Sequence, residues 1–198
     1  VGRLVRRPCV AEEDSGRCAP GHRRPSWLGL SPGFSKARLR TMTKHGFDQV
    51  AAVCGLSLSL PLTLVTALIV KLDSPRDPVF YHQERVGKNG KLFTMYKLRS
   101  MRCDAEDKTG PVWSTAGSDS RVTRLGYWLR KLHLDELPQL FNVLRGEMSL
   151  IGPRPERPEF VKVLADSIPG YMDRLQVAPG ITGLAQINLP PDTDLNSV

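Results

Sequence analysis

The sequence predicts an α/β fold that is mostly helical, carries one small β-hairpin, and is joined to a long apolar helix. Three observations predict it: an uncharged run fills residues 50–70, alternating segments flank a glycine turn at residues 87–90, and apolar residues recur at helical spacing over residues 122–144. Recurrence at i, i+3, i+4 and i+7 marks one face of a helix, whereas strict alternation marks a strand. The 198 residues fit one domain with appended segments.

The first 43 residues carry most of the net charge of +8. They contain nine Lys/Arg and three Asp/Glu, giving +6, while residues 44–198 contain nineteen and seventeen, giving +2. Because Pro, Gly and Arg are scattered there without a period, we expect residues 1–43 to be a disordered basic segment. A native start at Met42 is an open alternative. The near balance of residues 44–198 argues against nucleic acid as a partner.

The uncharged run predicts a membrane-associated helix over residues 44–71. At about 1.5 Å per residue, 21 apolar residues match a hydrocarbon core of about 30 Å. Pro61 stands near the middle, and because proline removes a backbone hydrogen bond and clashes with the preceding turn, we expect a kink there. Such a helix either crosses the bilayer or turns back to the side it entered. A buried core helix is the remaining alternative.

The segment after the apolar helix predicts a hairpin. Residues 79–83 and 91–99 have strand character on either side of the turn at residues 87–90. Strand alternation places Lys97 and Arg99 on one face of the second strand. Farther along, residues 103–119 have the composition of a polar loop, and residues 156–166 are expected to form a short helix.

Two adjacent carboxylates, Asp135 and Glu136, precede an amphipathic helical pattern. The apolar residues of that pattern are Leu137, Leu140, Phe141 and Leu144. The helix is expected to begin near Asp135, because Pro138 is tolerated in a first turn but would break an interior. A carboxylate there faces the positive end of the helix dipole. Such an acid serves as a nucleophile, a metal ligand or merely a cap, and the pattern leaves these three roles open.

Basic segments flank the acids on both sides. Upstream, a helical pattern over residues 122–132 carries Arg130 and has an apolar face made of Val122, Leu125, Trp128, Leu129 and Leu132. Downstream, Arg154 stands between Pro153 and Pro155, whose rings stiffen the backbone. Acids between basic segments are typical of a phosphate site in which Mg²⁺ lets carboxylates and phosphates coexist. Solvated arginines and a rigid linker are the ordinary alternatives.

Several motifs occur in order along residues 44–190. They include Gln83-x-Arg85-x-Gly87, Tyr96-Lys-Leu-Arg-Ser-Met101, Leu134-Asp-Glu-Leu-Pro-Gln-Leu140, Gly152-Pro-Arg-Pro155 and Pro179-Gly-Ile-Thr-Gly183. With this spacing the chain resembles the bacterial sugar transferase family, the small monotopic phosphoglycosyl transferases that act on polyprenyl phosphate.

The resemblance implies a reaction and a location. Such enzymes move a phospho-sugar from a UDP-sugar donor to a polyprenyl (undecaprenyl) phosphate acceptor, release UMP, and initiate a glycan such as exopolysaccharide or the O-antigen of lipopolysaccharide. The apolar segment is then a re-entrant helix-break-helix with its break at Pro61, set among the lipids of the bacterial cytoplasmic membrane. Residues 72–198 are then a compact catalytic domain on the cytoplasmic face.

The resemblance also implies residue roles. Asp135 matches the nucleophile, which would form a covalent aspartyl intermediate, and Glu136 matches the ligand of an Mg²⁺ cofactor. The groups expected to bind substrate phosphate are Arg130, Arg154 with its flanking Pro153 and Pro155, and, as weaker matches, Lys97 and Arg99.

The sequence departs from the family pattern in two places, and a second interpretation of its function remains open. The family often has Ser before the break proline, whereas Leu60 precedes Pro61 here. Family members usually continue for tens of residues beyond the glycine turn at residues 179–183, so we expect the catalytic domain to be truncated at its C-terminus. The rival interpretation is a non-catalytic, membrane-anchored scaffold of a polysaccharide assembly system, which would have no need of the two acids.

Overall fold

The structure, a computed structural model, describes residues 38–107, 110, 112 and 119–188. The predicted disorder of residues 1–37 and much of the polar loop lie outside the described residues. The described elements, in chain order, are α1 (Arg38–Asp73), β1 (Phe80–Val86), β2 (Leu92–Leu98), α2 (Arg124–Lys131), a 3-10 turn (Leu134–Glu136), α3 (Gln139–Leu144), β3 (Ser149–Ile151), α4 (Pro158–Ser167), a 3-10 segment (Tyr171–Gln176), β4 (Gly180–Thr182) and α5 (Leu184–Asn188). The mostly helical α/β prediction is confirmed.

Helix α1 is long, apolar and largely uncovered. It begins at Arg38, so helical structure extends upstream of the apolar run. The prediction of disorder is therefore wrong for residues 38–43. It is the one described helix with the length and hydropathy to cross a membrane, and 11% of its most apolar window is buried. A core helix would be mostly buried, so this exposure favours membrane association. The residues buried on α1 are Asp48, Ala52, Thr66 and Val70.

Pro61 lies inside α1 without dividing it into two helices. Proline cannot donate the usual backbone hydrogen bond, and nearby hydroxyl groups add hydrogen bonds of their own. Thr63 Oγ1 donates to the carbonyl of Ser59 at 2.9 Å, and Thr66 Oγ1 donates to that of Leu62 at 2.7 Å. The helix-break-helix arrangement is not seen in the described structure, and re-entry at Pro61 stays a prediction.

Both ends of α1 are joined to the rest of the domain. Near its start, Asp48 accepts hydrogen bonds from the Ser149 hydroxyl at 2.8 Å and from the Leu150 amide at 3.4 Å. Near its end, the carbonyl of Val70 accepts a hydrogen bond from Arg99 Nη2 at 3.3 Å. The two ends of the apolar helix therefore contact one and the same folded body.

The predicted hairpin is confirmed. Strands β1 and β2 pair antiparallel, with Phe80 opposite Leu98, and the turn between them contains Asn89 at φ 56°. The β2 side chains Phe93 and Met95 enter a core with Ala52, Val143 and Met148. On the edge of β2 away from β1, the Asn142 carboxamide accepts from the Tyr96 amide at 3.2 Å and donates to the Thr94 carbonyl at 2.7 Å. The Asn142 side chain thus satisfies backbone groups of β2 that a neighbouring strand would otherwise bind.

A second, two-stranded sheet was not predicted. Strands β3 and β4 pair parallel, with Ser149 opposite Gly180 and Ile151 opposite Thr182. The sequence analysis expected a glycine turn over residues 179–183 and no strand there, because three residues are too few to show alternation. Glycine is required at position 180, since a Cβ there would collide with the backbone nitrogen of Gly152. Gly152, the residue that Gly180 contacts so closely, immediately precedes Pro153 in the sequence.

Helix α2 buries less of its apolar face than predicted. Thr123 caps the helix by accepting from the Gly126 amide at 2.8 Å, and Leu129 is buried. Trp128 and Leu132 of the predicted face are 55% and 60% exposed. The helix has eight residues, and Leu132 lies beyond its last turn, so the expected stripe is longer than the surface available to cover it.

Candidate active site

The two acids lie in the 3-10 turn Leu134–Glu136, which we call the acid turn. The predicted α-helix begins later, at Gln139. Pro138 explains the difference, because it has no N–H to donate to the carbonyl of Leu134. The amide of Leu137 donates to that carbonyl instead, at 3.4 Å, which is the shorter 3-10 pattern. His133 precedes the acid turn with a φ of 55° and redirects the chain out of α2.

Asp135 is 5% exposed. Burial raises the pKa of its carboxyl group, and the neighbouring charge of Glu136 acts in the same direction. The charges of Lys97 and Arg130 oppose that rise and favour the ionised form. Because few water molecules can solvate the ionised group, a carboxylate in this position is suited to nucleophilic attack.

Glu136 forms an ion pair with Lys97. Lys97 Nζ lies 2.8 Å from Glu136 Oε1, and each side chain is 17% exposed. Burial opposes ionisation of Glu136, but the charge and hydrogen bond of Lys97 outweigh it and lower the pKa of the glutamate. Burial also lowers the pKa of Lys97, while Glu136 opposes that effect. The structure places Lys97 beside the acids, and its role in binding phosphate stays a prediction.

Arginines complete the surroundings of the acids. Arg154 also lowers the pKa of Glu136, and Arg130 lowers that of Asp135. Arg130 Nε donates to the Ser100 hydroxyl at 2.9 Å, and burial lowers the pKa of Arg130. A small cavity beside the acids is lined by Arg85, Lys97, Glu136, Gln139, Arg154 and Pro155, among others. The structure therefore brings Lys97, Arg130 and Arg154 together around the acid pair.

Arg99 is not part of this group. Its guanidinium donates to the Val70 carbonyl at 3.3 Å and lies 3.2 Å from the Asp77 carboxylate, at the end of α1. Strand β2 ends at Leu98, so the alternation used to place Arg99 beside Lys97 does not extend to it. The contacts of Arg99 are those of a residue that attaches the apolar helix to the hairpin.

Sequence reasoning missed three residues that support the site. Arg85 lines the cavity, Ser100 holds Arg130, and Arg174 donates to the backbone carbonyl of Arg154 at 2.7 Å. The motif Gln83-x-Arg85-x-Gly87 contained a signal for the first, although no role was given to it. Ser100 likewise lies in the motif Tyr96-Lys-Leu-Arg-Ser-Met101 without an assigned role. Arg174 lies outside the quoted motifs, and its importance depends on a contact with a residue far away in the chain.

The acids fit a magnesium ion that arrives with a phosphate substrate. No group of three or more His, Cys, Asp or Glu suited to a metal occurs among the residues that the structure describes. Magnesium is commonly held by one or two carboxylates together with substrate phosphates and water, and its ligands are oxygens. Glu136 and Asp135 supply carboxylate oxygens, and Glu136 uses Oε1 for Lys97. The donor set suits that shared mode of binding.

A buried aspartate and a partly buried glutamate lie among three cationic side chains, on a domain joined to an apolar helix, an arrangement suited to the transfer of phosphate-bearing groups at a membrane. The profile of the family described as bacterial sugar transferase matches residues 39–197. The chain belongs to the bacterial sugar transferase family. The resemblance that its motifs predicted is thereby confirmed.

Curated relatives agree with this assignment. A protein of Bacillus subtilis (strain 168), provisionally named undecaprenyl-phosphate N-acetylgalactosaminyl 1-phosphate transferase, is 53% identical over 132 residues, which are 67% of this chain and 72% of that protein. The UDP-N-acetylgalactosamine-undecaprenyl-phosphate N-acetylgalactosaminephosphotransferase of Aeromonas hydrophila is 45% identical over 178 residues, or 90% of this chain. The UDP-glucose:undecaprenyl-phosphate glucose-1-phosphate transferase of Caulobacter vibrioides is 46% identical over 162 residues, or 81% of this chain. The chain spans 41% and 59% of the latter two proteins.

Proposed function

We propose that the protein transfers a phospho-sugar from a UDP-sugar to undecaprenyl phosphate, with release of UMP, as the first step of a glycan such as exopolysaccharide. The names of the three relatives describe reactions of this kind with glucose or N-acetylgalactosamine donors or products. The observation that carries the proposal is the buried Asp135 beside Glu136, with Lys97, Arg130 and Arg154 around them.

The chemistry proceeds through two displacements at one phosphorus atom. The Asp135 carboxylate attacks the phosphorus that bears the sugar, and the bond to the bridging oxygen breaks, so that UMP leaves with the electron pair. The acyl phosphate on Asp135 then carries the sugar. A phosphate oxygen of the polyprenyl acceptor attacks the same phosphorus, forms the new diphosphate bond and frees Asp135. Such covalent catalysis predicts ping-pong kinetics.

The cationic side chains compensate the charges that meet at the site. A carboxylate and a diphosphate repel each other, and phosphoryl transfer depends chiefly on positioning and charge stabilisation. Lys97, Arg130 and Arg154 lower the electrostatic cost of bringing these anions together. Glu136 would hold a magnesium ion, which would supply further neutralisation of the diphosphate when bound.

The apolar helix explains how a water-soluble donor and a lipid acceptor meet. Because both Asp48 and Val70 are joined to the same folded body, the two ends of α1 fit on the same side of a membrane. This connectivity argues against a helix that crosses the membrane from one side to the other. Re-entry at Pro61, which lies within the continuous helix α1, stays a prediction of the family resemblance. Most of the exposed side chains between these ends are apolar and suit lipid; they include Leu58, Leu60, Leu64 and Leu68. We place the folded body on the cytoplasmic face, where nucleotide sugars are made.

The test is UMP release by the protein in membrane vesicles or nanodiscs containing undecaprenyl phosphate and Mg²⁺, with a panel of UDP-sugars. We expect release with at least one donor, dependent on acceptor beyond the first turnover. The scaffold interpretation predicts no release above background with any donor. That outcome, in protein with an intact fold, would overturn the proposal.

A further inference from the structure

We propose that Arg174 and Arg85 are positioning residues that hold the backbone of the arginine loop, Pro153-Arg154-Pro155, so that the Arg154 guanidinium stays directed at the donor phosphates. The inference rests on the proposed function, in which Arg154 contacts the donor. It assigns a role to two arginines that the reaction itself does not use.

Hydrogen bonds pin three consecutive carbonyls of the arginine loop. The Pro153 carbonyl accepts from the Gly180 amide of β4 at 2.9 Å. The Arg154 carbonyl accepts from Arg174 Nη2 at 2.7 Å, and the Pro155 carbonyl accepts from Arg85 Nη1 at 3.0 Å. Because the two prolines have no N–H, the carbonyls are the main groups by which other elements can hold this loop.

The Arg154 side chain itself is left free for a ligand. Its guanidinium forms no hydrogen bond or ion pair with any residue of the described ranges. Its charge nevertheless lowers the pKa of Glu136 and also that of Lys97. It lines the cavity beside Glu136. A fixed backbone below a free guanidinium is the arrangement expected of a residue prepared to bind an anion.

The Arg174 side chain contacts Tyr171 as well as the arginine loop. Its Nη1 donates to the hydroxyl of Tyr171, and its guanidinium carbon lies 4.8 Å from the centroid of the Tyr171 ring. Tyr171 is 1% exposed and belongs to the core cluster that also contains Leu164. Since the buried ring and hydroxyl set the position of Arg174, the contact with the Arg154 carbonyl is rigid.

Arg85 supports the other end of the loop from β1. Burial lowers the pKa of Arg85 to about 10, and Nη1 lies 3.5 Å from Glu156 Oε2, which favours its charged form. The next residue, Val86, donates its amide to the Glu156 carbonyl at 2.9 Å. Arg85 also lines the cavity beside the acids, so its replacement would change the local charge as well as the loop. Arg174 is the cleaner test, because its contact with the loop is to backbone.

The experiment is a double-mutant cycle on UMP release, with Arg174→Gln, Arg154→Gln and the double variant compared in membranes at saturating acceptor. We expect Arg154→Gln to lower kcat/KM about 100-fold and Arg174→Gln about 10-fold, mainly through a higher KM for the donor. If Arg174 acts through Arg154, the double variant is no worse than Arg154→Gln. Losses that multiply to about 1,000-fold would overturn the proposal.

Controls separate positioning from a general structural role. Arg102→Gln removes an exposed arginine paired with Asp104 and is expected to leave kcat/KM unchanged. Tyr171→Phe removes the hydroxyl that orients Arg174 and keeps the ring, so we expect a smaller rise in the same KM. If Arg174→Gln lowers the melting temperature, Arg174→Lys replaces it in the cycle, and the same lack of additivity is required.

The outcomes distinguish this inference from the proposed function. Wild-type protein that releases no UMP would defeat both. An active wild type with an unaffected Arg154→Gln variant would defeat the role of Arg154 and this inference, but leave the transferase reaction standing. An impaired Arg154→Gln variant with additive or absent effects of Arg174→Gln would defeat this inference alone.

Discussion

The acid turn and the arginine loop lie at the same cavity but are held in place in different ways. The acid turn takes its geometry from its immediate neighbours, namely the left-handed His133 before it and Pro138 after it. The arginine loop takes its geometry from Arg85, Arg174 and Gly180, which are distant in sequence. The acids and Arg154 could therefore be found from sequence, whereas the contacts that hold the arginine loop are visible only in the three-dimensional structure.

The two regions also differ in electrostatics. Asp135 is an acid whose burial raises its pKa, so keeping it ionised near neutral pH destabilises the folded state. The arginine loop contains Arg154, whose guanidinium forms no hydrogen bond or ion pair with a described residue, although its charge lowers the pKa of Glu136. Asp135 is therefore suited to nucleophilic attack and Arg154 to binding of the donor phosphates. Variants that disturb one region should therefore change different kinetic parameters from variants that disturb the other.

The largest effect is expected from Asp135→Asn. This change removes the nucleophile, and we expect UMP release to fall by about 10⁴-fold or more. Because the raised pKa shows that ionisation of Asp135 is unfavourable in the fold, the neutral amide should raise the melting temperature at pH 7. The exposed Asp104→Asn is the matched control and should change neither quantity. A clear loss of stability with retained activity would contradict the account of the acid turn.

Glu136→Gln is expected to have the next largest effect. It removes a carboxylate from the proposed metal ligands and leaves the partly buried Lys97 without its partner. We expect kcat/KM to fall by about 10²–10³-fold, as is common when one charge-stabilising group is lost. The half-saturating Mg²⁺ concentration should rise as well. An unchanged Mg²⁺ titration would remove Glu136 from the metal site.

Lys97→Met tests the electrostatics of the acid turn through pH. Lys97 lowers the pKa of Asp135, and the reaction requires the ionised aspartate. The acidic limb of the kcat/KM profile should therefore move to higher pH in Lys97→Met. In Glu136→Gln it should move to lower pH, because Glu136 raises the pKa of Asp135. Shifts of the same sign in both variants would show that Asp135 is not the group that titrates.

The smallest kinetic effect is expected from Arg99→Lys, outside both regions. Its guanidinium joins the Val70 carbonyl to Asp77, and a lysine cannot form both contacts with the same geometry. We expect a loss of about 1 kcal/mol in stability, measured by thermal or denaturant unfolding, with the donor KM unchanged. A raised donor KM at full stability would instead return Arg99 to the substrate site predicted from sequence.

The elements that sequence predicted share one property, which is that their signals are local. The hairpin, the apolar helix, α4 and the acid pair each follow from the spacing of residues within one short segment. Strands β3 and β4 are three residues each and depend on close contact of Gly152 with Gly180, so no alternation could identify them. Arg99 was misplaced because the strand pattern was extended one residue past Leu98.

The central claim is that Asp135 forms a covalent bond to the sugar phosphate, and intact-protein mass spectrometry tests it most directly. Purified protein in nanodiscs receives Mg²⁺ and the active UDP-sugar without acceptor, is quenched, and is then digested to map the modified peptide. We predict a mass increase of one sugar phosphate on the peptide that contains Asp135, discharged by undecaprenyl phosphate and absent in Asp135→Asn. Steady UMP release without any adduct at Asp135 would contradict the account.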